Sequence, residues 1–312
     1  MKNILMKFLN VYWLRPETAL WRTLDVEAMK NFNFVAPSLD LGCGDGTFSF
    51  IRGGGSYKDN FDVYFDVGHL DEYWNNKDVY DSYNGQTEKR EVVEKKEDYI
   101  LDMGLDHKDN LMKKAENLGL YRQFIKADAN KRLPFEDESF QSVFSNIVYW
   151  LDRPENTFKE IYRILKKDGI CCVMLPNTAF LEASFYYSLY EKGGRKEFEF
   201  LKMLDRGRMS DNVKMVNSYE GWKNIIENGG FKIEDCIPYL SKSLIQIWDI
   251  GLRPIFPLLK KMTAQIEENS LMEIKKEWVE LFMKIGYPII ENDKLLACDK
   301  EFCFFCFILR KK

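Results

Sequence analysis

Eight residues, Leu39-Asp40-Leu41-Gly42-Cys43-Gly44-Asp45-Gly46, carry the strongest chemical signal in the chain. Three glycines alternate with other residues at 42, 44 and 46. Before them, Ser38–Leu41 reads as a buried strand; after them, Phe48, Phe50 and Ile51 read as the start of a helix. A strand that turns through glycines into a helix brings backbone N–H groups up against a ligand, because no Cβ blocks the approach. At the carboxyl edge of a parallel sheet such a turn makes a nucleotide-type binding site. The spacing is G-x-G-x-G, which is neither the G-x-G-x-x-G of dinucleotide enzymes nor the G-x-x-x-x-G-K-S/T of phosphate-binding loops. No lysine directly follows the glycines to hold a phosphate. Asp40 and Asp45 would repel a pyrophosphate and suit a ligand that carries positive charge.

Further motifs follow in order. Met103-Gly104-Leu105-Asp106 has the form of an apolar strand ending in an acid. Ala127-Asp128-Ala129 precedes a turn at Leu133-Pro134-Phe135, and Phe140 to Asn146 is an apolar run. Arg163-Ile164-Leu165-Lys166-Lys167-Asp168-Gly169 reads as a helix end before the continuous apolar strand Ile170–Leu175.

Together these segments resemble the class I S-adenosylmethionine-dependent methyltransferases, in the manner of the methyltransferase type 11 domains. The resemblance spans much of 39–175 and returns over 219–237. It implies an α/β, Rossmann-like fold with a mainly parallel seven-stranded sheet, helices on both faces and an antiparallel last strand. It also implies S-adenosyl-L-methionine as cofactor, a ligand with a sulfonium, an ammonium and no phosphate. The first motif would then be Asp40, Gly42, Cys43, Gly44 and Gly46. Asp106 would hold the ribose hydroxyls. Asp66 competes for that role, since it lies at the usual distance of about 20 residues beyond the glycines. Asp106 is preferred because a complete amphipathic helix and another strand follow it. Asp128 would accept from the adenine amino group, to which a carboxylate offers only acceptors. The N–H of Ala129 would meet a ring nitrogen, and Asn146 would end the strand beside the transferred methyl group. Many relatives place a histidine a few residues beyond that asparagine. Here the residues are Ile147-Val148-Tyr149-Trp150-Leu151, so a histidine base at that point is excluded, and Tyr149 is the residue expected on the acceptor side. Two rival classes are a nicotinamide-dependent oxidoreductase and a non-catalytic module that keeps the fold for binding.

The elements that must position these residues divide the chain. Residues 1–37 form an N-terminal helical segment, with a helix that opens at Pro16 and repeats Leu20, Leu24 and Ala28 at helical spacing. Residues 38–176 form the cofactor-binding core. Within it, 53–97 reads as an insertion, with a candidate strand at Phe61–Asp66 and a solvated charge run at Glu88-Lys89-Arg90-Glu91 and Glu94-Lys95-Lys96-Glu97. Strands are expected at Tyr99–Asp106, Gln123–Asp128 and Ser139–Ser145, and helices over Leu111–Leu118 and Glu155–Lys167. Residues 177–312 complete the fold, with a core helix at Tyr219–Asn228, a strand at Phe231–Ile237 and a closing strand at Phe302–Leu309. Helical lids are expected at about 177–218 and 241–297. This alternation of strand and helix implies a parallel sheet.

A chain of 312 residues with 46% hydrophobic and 15% aromatic residues can bury a large core. A net charge of −4 gives no general attraction to nucleic acid or anionic membranes. A small-molecule or glycan-type methyl acceptor is therefore expected rather than a nucleic acid, and the resemblance implies oxygen as the atom that takes the methyl group. Seven scattered cysteines do not form a disulfide framework. Cys303 and Cys306 lie three apart on an expected strand, where they point to opposite faces, so no metal site is expected there. The cytoplasm is the expected location: there is no signal peptide and no apolar run long enough to span a bilayer. The apolar stretch Leu244–Leu259 is read first as core packing, and it leaves open an apolar lid, a dimer surface or peripheral contact with a lipid-linked acceptor. No catalytic base, acceptor identity or oligomeric state follows from the residues.

Overall fold

The structure is a computed structural model that describes residues 1–64, 93–95, 98–194, 196–205, 209, 213–297 and 301–312. Its strands are β1 (Ser38–Leu41), β2 (Ser56–Tyr57), β3 (Val93–Lys95), β4 (Leu101–Asp106), β5 (Tyr121–Lys126), β6 (Phe140–Ser145), β7 (Leu165–Pro176), β8 (Phe231–Ser241) and β9 (Phe302–Lys311). β2 and β3 pair with each other. The other seven make one sheet in the order β5-β4-β1-β6-β7-β9-β8. β1 pairs in parallel with β4 and β6, β4 with β5, and β6 with β7, whereas β9 runs antiparallel to both β7 and β8. Every residue of β1 is buried, and β9 is buried along nearly its whole length. Such continuous burial is what a strand covered on both faces requires.

The helices before and within the sheet are α1 (Lys2–Val11), α2 (Pro16–Ala28), α3 (Thr47–Arg52), α4 (Asp109–Glu116) and α5 (Pro154–Ile164). Those after β7 are α6 (Ala179–Ala183), α7 (Phe185–Gly193), α8 (Phe200–Asp205), α9 (Tyr219–Asn228), α10 (Lys242–Ile250), α11 (Phe256–Thr263), α12 (Glu268–Glu291) and α13 (Asp293–Leu296). Proline opens both α2 and α5, where its missing N–H has no helical partner to lose. Ser218 caps α9 through Gly221 N, and Ser241 caps α10 through Leu244 N. α1 buries Leu5, Phe8 and Leu9 at helical spacing, leaves Lys2 and Asn3 exposed, and uses half-buried Lys7 and Asn10 to donate to the carbonyls of Gly54, Tyr57 and Lys58. No helix among the described residues is long and apolar enough to cross a membrane.

Two expected elements differ. The helix expected to Lys167 stops at Ile164, and Leu165 already pairs with Phe140 as the first residue of β7. Register then jumps, so that Ser142 faces Ile170, and residues 166–169 form an irregularity in the strand. Asp168 sits there at φ 61. Asp-Gly serves a bulge here and not a helix end; both uses need a residue that tolerates positive φ. The expected strand at Phe61–Asp66 is a turn over 61–64, with Phe61 N bonded to Lys58 O and Tyr64 N to Asp62 Oδ1. Asp66 lies outside the described residues, as does the charge run at 88–91.

Two lysines hold that turn. Lys260 of α11 pairs with Asp62 at 3.0 Å. Lys275 of α12 is buried and donates to the carbonyls of Asp59 and Phe61. Burial pushes the Lys275 ammonium down to about 8, against the pull of Asp62 and Asp59. An unfolded lysine titrates near 10.5, so between the two values the unfolded chain binds more protons and this group's contribution to stability rises with pH. Wild type is expected to gain roughly 2–3 kcal/mol on Lys275→Met as pH rises from about 7.5 to about 10. Urea unfolding of both proteins across that range checks this, and a constant gap between them refutes it.

The cysteines behave as core residues. Cys171, Cys172, Cys303 and Cys306 are buried, and the Cys172 and Cys306 sulfurs meet at 3.5 Å across β7 and β9.

Candidate active site

β1 enters the sheet between β4 and β6, so the chain leaves its carboxyl end at the point where strand order reverses. Leu41 is level with Leu105 and Ser145, which places Gly42, Asp106 and Asn146 side by side at one edge. Gly42 N and Cys43 N both donate to Leu105 O, at 2.8 and 3.0 Å, and fasten the turn to β4. Gly42, Gly44 and Gly46 have φ of 87, 56 and 75, a region open to few other residues. At Gly42 a Cβ would stand 2.7 Å from the Ile147 side chain, so glycine is required there on two counts. At Gly44 a Cβ would meet nothing within 4 Å; the backbone at the top of the turn faces open space. Gly104 completes the packing, because a Cβ there would press on Cys43 Sγ and the Phe124 ring at 3.1 Å.

The acids lie at different depths. Asp106, 8% exposed, accepts from Gly44 N at 3.0 Å through Oδ2 and from Lys108 N at 2.9 Å through Oδ1. A carboxylate offers about four acceptor sites, so two remain. Asp40 lies beneath the turn, 2% exposed, where its Oδ2 accepts from Ser49 Oγ at 2.5 Å and Tyr121 OH at 2.6 Å. Burial raises the Asp40 carboxyl to about 6, against those two hydrogen bonds, and the nearby Asp106 charge raises it further. Asp45 caps the start of α3 through Thr47 N. Asp128 is half-buried beyond β5, where its Oδ1 accepts from Asn130 N at 2.9 Å. Ala129 is packed against the core and Asn146 is half-buried. Cys43 is held thiol by burial and by the charges of Asp40, Asp106 and Asp45. The turn thus combines exposed backbone, several carboxylates and no lysine or arginine in its own sequence. That donor set fits a cationic, phosphate-free ligand.

Tyr149 sits just past the end of β6 and is buried among aromatic rings. Its ring lies 5.6 Å from Phe304, which faces Pro176 of β7 and Tyr239 of β8 at the same carboxyl edge. α2 closes over them: Trp21 packs on Phe304 at 5.1 Å, Phe180 at 6.0 Å and Trp248 at 4.5 Å. Asp25 is buried in this apolar wall, 1% exposed. Arg22 pairs with its Oδ2 at 2.9 Å, and Tyr239 OH donates to its Oδ1 at 2.8 Å. Burial raises the Asp25 carboxyl against these partners. Burial likewise pushes the Tyr149 and Tyr239 phenols up, so both stay neutral and can donate. The Arg22 guanidinium also lies over the Phe48 ring at 5.7 Å, which links this wall to the helix that leaves the glycine turn. Sequence reasoning missed Arg22, Asp25 and Tyr239. One signal was available: Trp21, Leu24, Asp25 and Ala28 share a helix face, and a carboxylate on an apolar face needs buried partners.

Residues 98–173 match the family model described as a methyltransferase domain. No curated protein matches the chain. Among solved structures, it is similar to an S-adenosylmethionine-dependent methyltransferase from Thermotoga maritima, with 20% identity, 72% of this chain and 75% of that one covered, and a TM-score of 0.41. It is similar to one from Mesorhizobium loti, with 15% identity, 92% and 96% covered, and a TM-score of 0.45. It is also similar to the cyclase SpnF, with 14% identity, 95% and 82% covered, and a TM-score of 0.47. The matched segment runs from just before β4 into β7 and carries Asp106, Asp128 and Asn146, and this match supports a class I S-adenosylmethionine-dependent methyltransferase that uses S-adenosyl-L-methionine.

Proposed function

We propose that this enzyme methylates a small-molecule or glycan-type acceptor at oxygen, in the cytoplasm. The observation that carries the reading is the aromatic wall at the carboxyl edge: Trp21, Tyr149, Phe180, Tyr239 and Phe304 are all buried, under helices contributed by both ends of the chain. An aromatic wall of this kind suits a small, partly apolar group better than a polyanionic polynucleotide. The free thiols of Cys171, Cys172, Cys303 and Cys306 fit a reducing compartment.

In this reading residues 38–176 hold the cofactor, and residues 1–37 together with the helices of 177–218 and 241–297 form the cover that selects the acceptor. The backbone at Gly42, Cys43, Gly44 and Gly46 takes the cationic amino-acid end. Asp40 acts from below as a positioning residue, since it fixes Ser49 of α3 and Tyr121 of β5. Asp106 takes the ribose hydroxyls with its two remaining acceptor sites. Asp128 and the Ala129 N–H take the adenine edge, and Asn146 borders the reacting centre. When bound, the cofactor supplies an activated methyl group and its own leaving group. The residues around it align acceptor and methyl and keep water out, which is catalysis by proximity and orientation. Tyr149, neutral and buried, orients an acceptor hydroxyl by donating to it, while Tyr239, whose proton goes to Asp25, offers that hydroxyl an acceptor oxygen.

Incubation with methyl-labelled S-adenosylmethionine and separate pools of metabolites, cell-wall glycans, RNA and protein tests the reading. Label is expected in the metabolite or glycan pool, in a product stable to base as an ether is. Label confined to RNA or protein overturns the acceptor class and leaves the family intact.

A further inference from the structure

α12 has two apolar faces; the fold buries one fully and the other only in part. Lys275, Val279, Met283, Gly286 and Ile290 are buried against the rest of the chain. A second line runs Leu271, Ile274, Trp278, Leu281, Ile285, with steps that alternate between three and four residues. At 3.6 residues per turn this line lies roughly 130° around the helix from the buried face. Its spacing is that of the a and d positions of a coiled coil. Ile274, Leu281 and Ile285 are 42%, 51% and 49% exposed, whereas Leu271 and Trp278 are half-buried, each with one side packed against the chain's own core. On the solvent side, Glu277 and Lys284 flank this line at equivalent heptad positions.

We propose that this line is a dimer seam, on which α12 packs antiparallel against α12 of a second copy of this chain. A two-fold axis between Trp278 and Leu281 sets Trp278 opposite Leu281 of the second copy and Ile274 opposite its Ile285. The same register sets Glu277 opposite Lys284 of the second copy, and by symmetry Lys284 opposite its Glu277, so the interface carries two complementary pairs. Parallel pairing lacks this match: it would set Glu277 against Phe282 and Lys284 against Ile289, and Trp278 against its own copy. One seam on a helix of 24 residues is at the small end of specific interfaces, so the dimer forms in roughly the micromolar range.

Sedimentation of the full chain at low salt, over concentrations that bracket that range, tests the proposal. Wild type is expected to pass from monomer to dimer. Leu281→Arg, at an exposed site, is expected to keep its circular dichroism and to raise the dissociation constant by about 100-fold or more. Glu277→Lys alone is expected to weaken the dimer about tenfold, and Glu277→Lys combined with Lys284→Glu to restore it. A wild-type monomer throughout, a dimer indifferent to Leu281→Arg, or a charge exchange that fails to restore association would each overturn the proposal.

Discussion

Replacing Asp106 with alanine is expected to lower affinity for S-adenosylhomocysteine by on the order of 100- to 1000-fold in calorimetry. The loss has two parts. Asp106 holds Gly44 N and Lys108 N, so its removal frees two donors at the turn that shapes the site. It also removes the acceptors assigned to the ribose. Hydrogen bonds to a charged group contribute about 1.5–3 kcal/mol each, and two or so account for the expected range. Asp106→Asn keeps one acceptor oxygen and is expected to fall between. Asp128 is half-buried and makes its bond within its own turn, so Asp128→Ala is expected to cost on the order of 1–3 kcal/mol. NADH is expected not to bind any of these proteins. A folded Asp106→Ala protein with wild-type affinity would remove Asp106 from the ribose site and return Asp66 to it.

Trp222→Ala is expected to destabilise the protein by about 3–5 kcal/mol in urea unfolding. Trp222 is fully buried on α9, and its Nε1 donates to Pro176 O at 2.8 Å, at the carboxyl end of β7. The substitution opens a large cavity and leaves that carbonyl without the indole. Trp222→Phe refills most of the space and is expected to cost about 1–2 kcal/mol, chiefly the hydrogen bond. Native domains have about 5–15 kcal/mol in all, so alanine here takes a large share. A loss below about 1 kcal/mol would show that α9 does not anchor the sheet.

The strands and turn of the parallel part of the sheet were legible because their signals are local. The glycine turn, the apolar strand ends at Asp106 and Asn146, and the period of α5 all lie in short windows of sequence. The antiparallel closing strand was legible too, as an apolar run after the last helices. What stayed hidden depends on distant partners. Leu165 belongs to β7 because Phe140 is there to pair with it, not because its own neighbours forbid a helix. Asp168-Gly169 has the same local chemistry in a bulge as at a helix end. α1 was not foreseen because Lys2, Asn3, Lys7 and Asn10 break up its apolar residues along the chain; only around the helix do Leu5, Phe8 and Leu9 gather. Asp25 finds Tyr239 more than two hundred residues away, a pairing that no window shows.

The placement of β9 has a consequence for how the protein is made. It fills the slot between β7 and β8, so both of those strands present an unpaired inner edge until residues 302–311 have left the ribosome. Chain growth at about 5–20 residues per second leaves those edges waiting for seconds after β8 has emerged. Open apolar edges are templates for pairing with other chains. The nascent protein is therefore prone to aggregate between the emergence of β8 and that of β9, and slow or interrupted translation beyond β8 prolongs that interval.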